Sequence, residues 1–208
     1  MSALTEKEFK DRWSALHGGA PIKGAVAGWL SFSYQVARVC TALKFTPNFL
    51  TLLGLATAVA MAFSSSAGIA LLLLVVSLFF DGIDGSVAIV QGRESKWGAV
   101  LDSIADRISE ACWLYFGWTA GIPAWAAILM WTIASTQEYA RARLASLGHF
   151  EIGVVTATER PVRAIFLALV LIIFILDFPG VTYISYAFII LLLVSFMQVM
   201  RVAKKTLS

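Results

Sequence analysis

Six long apolar segments constrain the fold of this chain more than any other feature of its sequence. Each approaches the roughly 20 mostly apolar residues that an α-helix needs to cross a bilayer. The breaks between them contain small or turn-forming residues such as Gly68, Pro123 and Gly180, which are typical of helix ends. The segments are Asn48 to Ser64, Ala67 to Ala88, Ser95 to Ala120, Pro123 to Leu147, Pro161 to Phe178 and Val181 to Val202. The sequence therefore predicts six transmembrane helices.

The composition supports an all-α integral membrane protein. Hydrophobic residues make up 59% of the chain and charged residues only 14%, whereas a soluble domain carries about 25% charged residues. The charged first residues lack an apolar core, so no secretory signal peptide is expected. The net charge of +3 is modest. It favours contact with anionic membrane lipids rather than nucleic acid.

A further apolar stretch, from Gly28 to Phe45, precedes the first predicted span. Gln35, Arg38 and Lys44 interrupt it, so we expect an amphipathic helix lying on the membrane surface. A seventh span is the alternative. The predicted organisation is thus a cytoplasmic N-terminus with a juxtamembrane amphipathic helix over residues 1–46, followed by a six-helix transmembrane domain over residues 47–208.

The positions of the basic residues predict the orientation of the spans. Short loops rich in Lys and Arg stay on the cytoplasmic side of a membrane. Such residues follow the second span at Arg93 and Lys96, occupy the loop between Arg141 and Arg163, and end the chain from Arg201 onward. The other loops carry none. Both termini and the two basic loops are therefore expected to face the cytoplasm.

Four aspartates interrupt the second and third predicted spans, where each acid costs roughly 2.5 to 3.5 kcal/mol on membrane insertion. Asp81 and Asp84 are three residues apart, and Asp102 and Asp106 are four apart, so each pair shares one helical face. Both pairs lie at similar distances from the loop around Arg93. At 1.5 Å per residue they reach similar depth, and all four carboxylates can meet in one cytoplasm-facing cleft.

Four clustered carboxylates repel one another unless cations neutralise them. Oxygen ligands without His or Cys favour Mg²⁺, Mn²⁺ or Ca²⁺, and a two-ion site is typical of phosphate chemistry. The neighbouring Gly82, Gly85, Ala88 and Gly98 leave room for a bulky ligand or for close helix packing. The alternative function is metal-ion or proton transport, although a transport pathway should extend across the bilayer.

The spacing of these residues resembles the signature of the CDP-alcohol phosphotransferase, or phosphatidyltransferase, family. The stretch reads Asp81-x2-Asp84-Gly85-x2-Ala88, then Gly98-x3-Asp102-x3-Asp106. The segment from Pro47 to Thr51 and the surface helix before six spans are similar to that family as well. The resemblance implies two Mg²⁺ or Mn²⁺ ions held by the four aspartates. It also implies that Asp106 is the base that activates the acceptor hydroxyl.

The same resemblance implies the substrates and the assembly. The donor is CDP-diacylglycerol or its archaeal equivalent, the product is a phospholipid precursor and CMP leaves. A homodimer in the cytoplasmic membrane is implied, with residues 47–208 as the catalytic domain. The residues that would contact the CDP part of the donor are Asn48, Thr51, Asp81, Asp84, Gly85, Ala88 and Gly98.

One position departs from the family signature, which has an arginine directly after the alanine. This chain has Ile89 there. Arg93, four residues further on, is our candidate to replace the missing guanidinium at the donor. The alternative is that Arg93 only anchors the loop among headgroups. The departure also leaves open a membrane scaffold without catalytic activity.

Arginines near the ends of the fourth and fifth spans suggest the acceptor. Arg141, Arg143, Arg160 and Arg163 are expected on the cytoplasmic side, where they could bind the phosphate of a phosphorylated polyol. Their segments resemble those of the phosphatidylinositol phosphate synthases of the family, which implies inositol phosphate as acceptor. Glycerol 3-phosphate is the alternative acceptor, and the arginines could also serve orientation alone. His149 is expected to be a loop residue without a ligand role.

Overall fold

The structure, a computed structural model, describes residues 4–148 and 155–207. Within those ranges the chain forms α-helices and no β-strand. The helices are α1 Glu6–Leu16, α2 Gly24–Ala42, α3 Pro47–Ala62, α4 Ala67–Gln91, α5 Lys96–Thr119, α6 Ala124–Ser146, α7 Arg160–Ile175 and α8 Val181–Leu207. The all-helical prediction is confirmed for this part of the chain. Helices α3 to α8 coincide with the six predicted spans, with ends that differ by a few residues.

The helices have the apolar character of a membrane protein. Within the described residues, α4 and α8 are each long and apolar enough to cross a bilayer. Helices α2 and α3 are bent by 107° at a short break and would add a third crossing only if the pair formed one span. The number of six spans, the surface position of α2 and the domain boundary at residue 46 stay predictions.

Helix α1 is an element that the sequence analysis did not predict. It begins with a capping box, in which the Thr5 side chain accepts a hydrogen bond from the Glu8 backbone and the Glu8 carboxylate accepts one from the Thr5 backbone. The two distances are 3.3 Å and 2.8 Å. This reciprocal arrangement satisfies two backbone donors at the start of the helix. The spacing Thr5-x2-Glu8 is the signal from which the helix could have been predicted.

The chain forms two compact units, Met1–Thr57 with Val75–Ser109 and Ala58–Leu74 with Glu110–Ser208. In the first unit, α2, α3 and α4 share a buried cluster of Ala37, Leu50, Ile83 and Val87. The Ser77 hydroxyl of α4 also donates to the Gly54 carbonyl of α3 at 2.8 Å. Close packing is possible there because Gly54 has no side chain. These contacts fix α3 against the part of α4 that carries the aspartates.

A second cluster holds α1 in the first unit. It contains Phe9 of α1, Leu30 and Tyr34 of α2, and Ile89 of α4. Phe9 is fully buried, and the Tyr34 hydroxyl donates to the Leu4 carbonyl at 2.6 Å. A fully buried aromatic side chain contributes several kcal/mol to packing. The polar helix α1 is therefore a fixed part of the unit.

The second unit is built around α6, α7 and α8. Helix α6 packs along α8, and the rings of Phe166 in α7 and Phe188 in α8 stack with centroids 4.0 Å apart. Near the end of α5, a side chain on Gly117 would lie 2.8 Å from Ile122 and 2.9 Å from Leu167. A glycine is needed there because the neighbouring branched side chains already fill that space.

Candidate functional site

A cavity of about 370 Å³ lies in the first unit, among α1 to α5. All eight residues that we predict to contact the CDP donor line it, although they come from α3, α4, the loop after α4 and α5. They are Asn48, Thr51, Asp81, Asp84, Gly85, Ala88, Arg93 and Gly98. Asp102 lines the cavity as well. The structure thus brings these residues to one place.

Three of the four aspartates form a compact carboxylate group. Asp81, Asp102 and Asp106 each offer one oxygen, and these oxygens lie within 4.8 Å of one another. The three side chains are half-buried. Oxygens bound to one Mg²⁺, Mn²⁺ or Ca²⁺ at about 2.0 to 2.6 Å lie at most about 4 to 5 Å apart. The spacing and the all-oxygen donor set therefore fit a hard divalent cation.

The fold explains why these three side chains meet. Asp102 and Asp106 share one face of α5 because they are four residues apart. Helix α5 follows α4 after the short connection 92–95, which returns the chain toward Asp81. Like charges this close together are stable only with protons or cations between them. The arrangement is consequently suited to binding cations.

Asp84 has a different environment from the other three aspartates. It is buried, and its carboxylate accepts a hydrogen bond from the Thr51 hydroxyl of α3. Asp84 is not a member of the three-oxygen group, although it lines the same cavity. The contact with Thr51 holds the Asp84 carboxylate in a fixed orientation at the cavity wall. Its role as a metal ligand stays a prediction.

The small residues near the aspartates have different surroundings. A methyl group on Gly85 would meet nothing within 4 Å, so this position faces open space in the cavity. A methyl group on Gly82 would lie 2.7 Å from the Trp29 ring. Of the two alternatives for Gly82, close packing is the one that its neighbours favour, because the indole of Trp29 occupies that space. At Gly98 the neighbours are the side chains of Ser95 and Asn48.

Arg93 does not lie one helical turn after Ile89 on the same helix. Helix α4 ends at Gln91, so Arg93 lies in the following loop rather than on the next helical turn. Gly92 takes a positive φ of 61°, and the Arg93 backbone N–H donates to the Ala88 carbonyl at 2.9 Å. This helix-ending motif holds Arg93 beside Ala88 at the cavity. Ile89 is buried against Phe9.

Two of the four arginines proposed for the acceptor bind carboxylates of this chain. Arg141 contacts both oxygens of Glu159, at 2.9 Å and 2.7 Å. Arg163 is buried and lies 2.9 Å from Glu110, and it donates to the Thr158 carbonyl at 2.8 Å. Such bidentate and buried ion pairs fix the positions of both partners. Both arginines therefore hold neighbouring segments of the second unit together.

The other two arginines have different surroundings. The Arg160 guanidinium lies 5.1 Å from the ring centre of Trp113, which orients it through a cation–π contact. Arg160 also lies 3.8 Å from the Glu110 carboxylate. Arg143 is exposed and lies 3.4 Å from the Ser146 hydroxyl.

Glu159 is ionised throughout the neutral pH range. Burial opposes the charged form, but hydrogen bonds from Arg141 and from the backbone and hydroxyl of Thr156 lower the pKa of Glu159 to about 2. The hydrogen bonds from Thr156 measure 2.7 Å and 2.9 Å. The charge pair with Arg141 is therefore complete at any pH above the ordinary range of a glutamate.

The structure also shows residues that the sequence analysis did not select. Trp13, His17 and Trp29 line the same cavity as the aspartates, and Glu110 binds Arg163. Glu110 follows Asp106 by four residues and so continues the acidic face of α5, which is a signal present in the sequence. No short-range sequence pattern indicates the contact between Trp29 and Gly82. His149 lies outside the described residues.

Comparison with known proteins gives a consistent result. Residues 44–200 match the family described as CDP-alcohol phosphatidyltransferase. The chain is 31% identical over 181 residues to an archaetidylinositol phosphate synthase of Pyrococcus horikoshii, covering 84% of this chain and 92% of that protein. It is 35% identical over 162 residues to a phosphatidylinositol phosphate synthase of Corynebacterium glutamicum, covering 72% of this chain and 70% of that protein.

A solved structure shares the fold. The phosphatidylinositol phosphate synthase of Mycobacterium tuberculosis, crystallised with CDP-DAG bound, superposes with a TM-score of 0.67 at 23% identity. The similarity covers 82% of this chain and 92% of that one. A second structure of the same enzyme, in complex with manganese and citrate, gives a TM-score of 0.67 at 23% identity and covers 82% of this chain and 88% of that one.

Proposed function

The chain belongs to the CDP-alcohol phosphatidyltransferase family, and on this premise we propose that it transfers a phosphatidyl group from a CDP-activated lipid to inositol phosphate. The product is a phosphorylated phosphoinositide-type lipid, and CMP is released. The observation that carries the proposal is the group of three half-buried carboxylates, of which Asp81 and Asp102 line the same cavity as the residues of the family signature. The names of the relatives support inositol phosphate as the acceptor.

The metal proposal rests on the donor set of the cavity. Asp81, Asp102 and Asp106 would hold a divalent cation, Mg²⁺ or Mn²⁺, and the oriented Asp84 carboxylate would complete a two-ion site. Bound metal would neutralise the charge that develops on the departing CMP. The manganese in the M. tuberculosis enzyme supports the choice of a hard divalent ion.

The chain's own residues supply the other parts of the reaction. The acceptor hydroxyl oxygen attacks the phosphorus next to the lipid, the bond from that phosphorus to CMP breaks, and the Asp106 carboxylate takes the hydroxyl proton. Arg93 would contact the diphosphate, since its loop is held against Ala88. The open space beside Gly85 would admit the CDP group. Asn48, Thr51 and Gly98 would complete the donor contacts.

The acceptor proposal concerns the arginines of the second unit. Arg141, Arg143, Arg160 and Arg163 are the candidates for contact with the acceptor phosphate. Arg141 and Arg163 also bind Glu159 and Glu110 closely, and these ion pairs would hold the two guanidinium groups in place at the acceptor site. Glycerol 3-phosphate presents the same monoester phosphate and stays the alternative acceptor.

The membrane arrangement is proposed from the same premises. The chain is an integral membrane protein with apolar helices, and α3 to α8 would form six spans with α2 on the surface. The basic loops would place both termini and the cavity on the cytoplasmic side. The family resemblance supports a homodimer.

The test is release of CMP by the purified protein in detergent or lipid. CDP-diacylglycerol and CDP-archaeol would each be supplied with Mn²⁺ or Mg²⁺ and one of four acceptors: inositol phosphate, glycerol 3-phosphate, serine or free inositol. Release that depends on metal and is fastest with inositol phosphate is expected. Fastest release with glycerol 3-phosphate would replace the acceptor, and no metal-dependent release with any combination would refute the enzymatic proposal.

A further inference from the structure

We infer that the C-terminal turn of α1 forms the nucleobase wall of the donor cavity, with the His17 ring as the stacking surface and Trp13 behind it. This inference rests on the proposed CDP-activated donor. Both side chains line the cavity that also contains Asp81 and Asp102. The two rings are stacked, with centroids 4.0 Å apart and planes 19° from parallel.

Contacts within the chain hold the aromatic pair in place. The His17 ring nitrogen Nδ1 lies 2.8 Å from the Trp13 carbonyl oxygen, which only accepts hydrogen bonds, so Nδ1 is the donor. Trp13 is half-buried and packs against the cluster of Phe9 and Ile89. His17 is exposed. One ring is thus fixed in the fold, and the second presents its outer face.

The position of α1 places this pair at the polar end of the cavity. Arg12, next to Trp13, forms an ion pair with Glu94 at 2.6 Å. Glu94 belongs to the loop between α4 and α5 and lines the cavity together with Arg93. The lipid end of the donor is apolar, whereas its nucleobase is the polar, planar end. The aromatic pair beside charged loop residues therefore fits the base and not the acyl chains.

This arrangement also accounts for Ile89 in place of the arginine of the family signature. Ile89 is 4% exposed and is covered by Phe9 of α1. An arginine at this position would replace the apolar contact with Phe9 by the stem of a charged side chain. In this chain, position 89 anchors the helix that carries the stacking pair.

The experiment measures binding of CDP and of pyrophosphate, each with Mn²⁺, to the full-length protein in detergent by calorimetry. Pyrophosphate carries the phosphates without the base. We expect His17→Ala to weaken CDP binding about tenfold, as loss of one base-stacking contact does, and to leave pyrophosphate binding unchanged. His17→Phe, which restores a flat ring, should recover most of the CDP affinity.

The matched control is Trp97→Ala, because Trp97 is an exposed aromatic residue of the same unit that does not line the cavity. It should leave both affinities unchanged. Unchanged CDP affinity in His17→Ala, or equal weakening of CDP and pyrophosphate binding, would overturn this inference but not the proposed function. If the wild-type protein binds pyrophosphate but not CDP, the proposed donor fails, and the inference fails with it. Trp13→Ala, with its melting temperature recorded, provides a second variant for which selective loss of CDP binding is expected.

Discussion

The aspartates of the first unit and the arginines of the second are both charge clusters in apolar surroundings, but their partners differ. Asp81, Asp102 and Asp106 bring like charges within 4.8 Å of one another, and Arg107 lies 3.8 Å from Asp106. Arg141 and Arg163 each face carboxylates at hydrogen-bond distance. Neighbouring carboxylates repel one another and gain from a bound cation, whereas each arginine of the second cluster already has a counter-charge whose removal would leave a charge uncompensated. The first cluster is therefore the better candidate for chemistry.

Replacement of one cluster aspartate should have the largest effect. Asp102→Asn removes a charge and a ligand oxygen, so CMP release should fall by about 10³-fold or more. The melting temperature should stay the same or rise, because repulsion among the carboxylates decreases. Asp177→Asn, in the turn before α8, is the control and should keep full activity. A large loss of stability in Asp102→Asn would contradict the view that the aspartates serve ligand binding rather than stability.

Substitutions in the arginine cluster of the second unit should change the free energy of unfolding. Glu110→Gln leaves the buried Arg163 without its closest carboxylate, and we expect a loss of about 3 kcal/mol in the free energy of unfolding. Adding Arg163→Met to this variant should restore much of that loss, since no buried charge is then left uncompensated. Thermal or denaturant unfolding in detergent measures both. Equal losses in the single and double variants would show that the pair is not a structural unit.

Alanine substitutions at two glycines of α4 should have smaller effects, and these effects should be opposite in sign for stability. Gly85→Ala adds a methyl group in open space, so stability should rise by about 0.5 to 1 kcal/mol while the KM for the CDP donor increases. Gly82→Ala forces the Trp29 ring to move and should lower stability instead. Unfolding curves and donor KM values for both variants check the pair. An unchanged KM in Gly85→Ala would remove this position from the donor site.

The smallest effect concerns the pH dependence of the Arg141–Glu159 pair. Because the folded-state pKa of Glu159 lies near 2, below the ordinary value of 4.5, its contribution to stability is complete above about pH 4.5 and is lost as pH falls toward 2. The difference in melting temperature between the wild type and Glu159→Gln should stay constant from neutral pH to about 5 and shrink below that. A difference that changes near pH 6 to 7 would point to another titrating group.

The sequence analysis was most successful where the relevant spacing lies within one helix. The length of the apolar segments and the breaks between them locate the helices, and residues three or four apart share a face whatever the tertiary fold. The signature around Asp81 and Asp102 depends on such local spacing, and all eight predicted donor residues line one cavity. The length and polarity of a segment do not show which other segment packs against it. The packing of α1 against α2 and α4 was therefore not predicted.

Contacts between distant segments settled the remaining questions. Trp29 fills the space beside Gly82, Thr51 orients Asp84, and Glu110 binds Arg163. Each contact joins residues more than 30 positions apart, where sequence periodicity carries no information about neighbours. The chemistry of the aspartate signature thus follows from local order along two helices. Which glycine faces a ligand, which arginine is matched by an acid and which helix closes the cavity depend on packing, because burial and pairing are properties of the assembled fold.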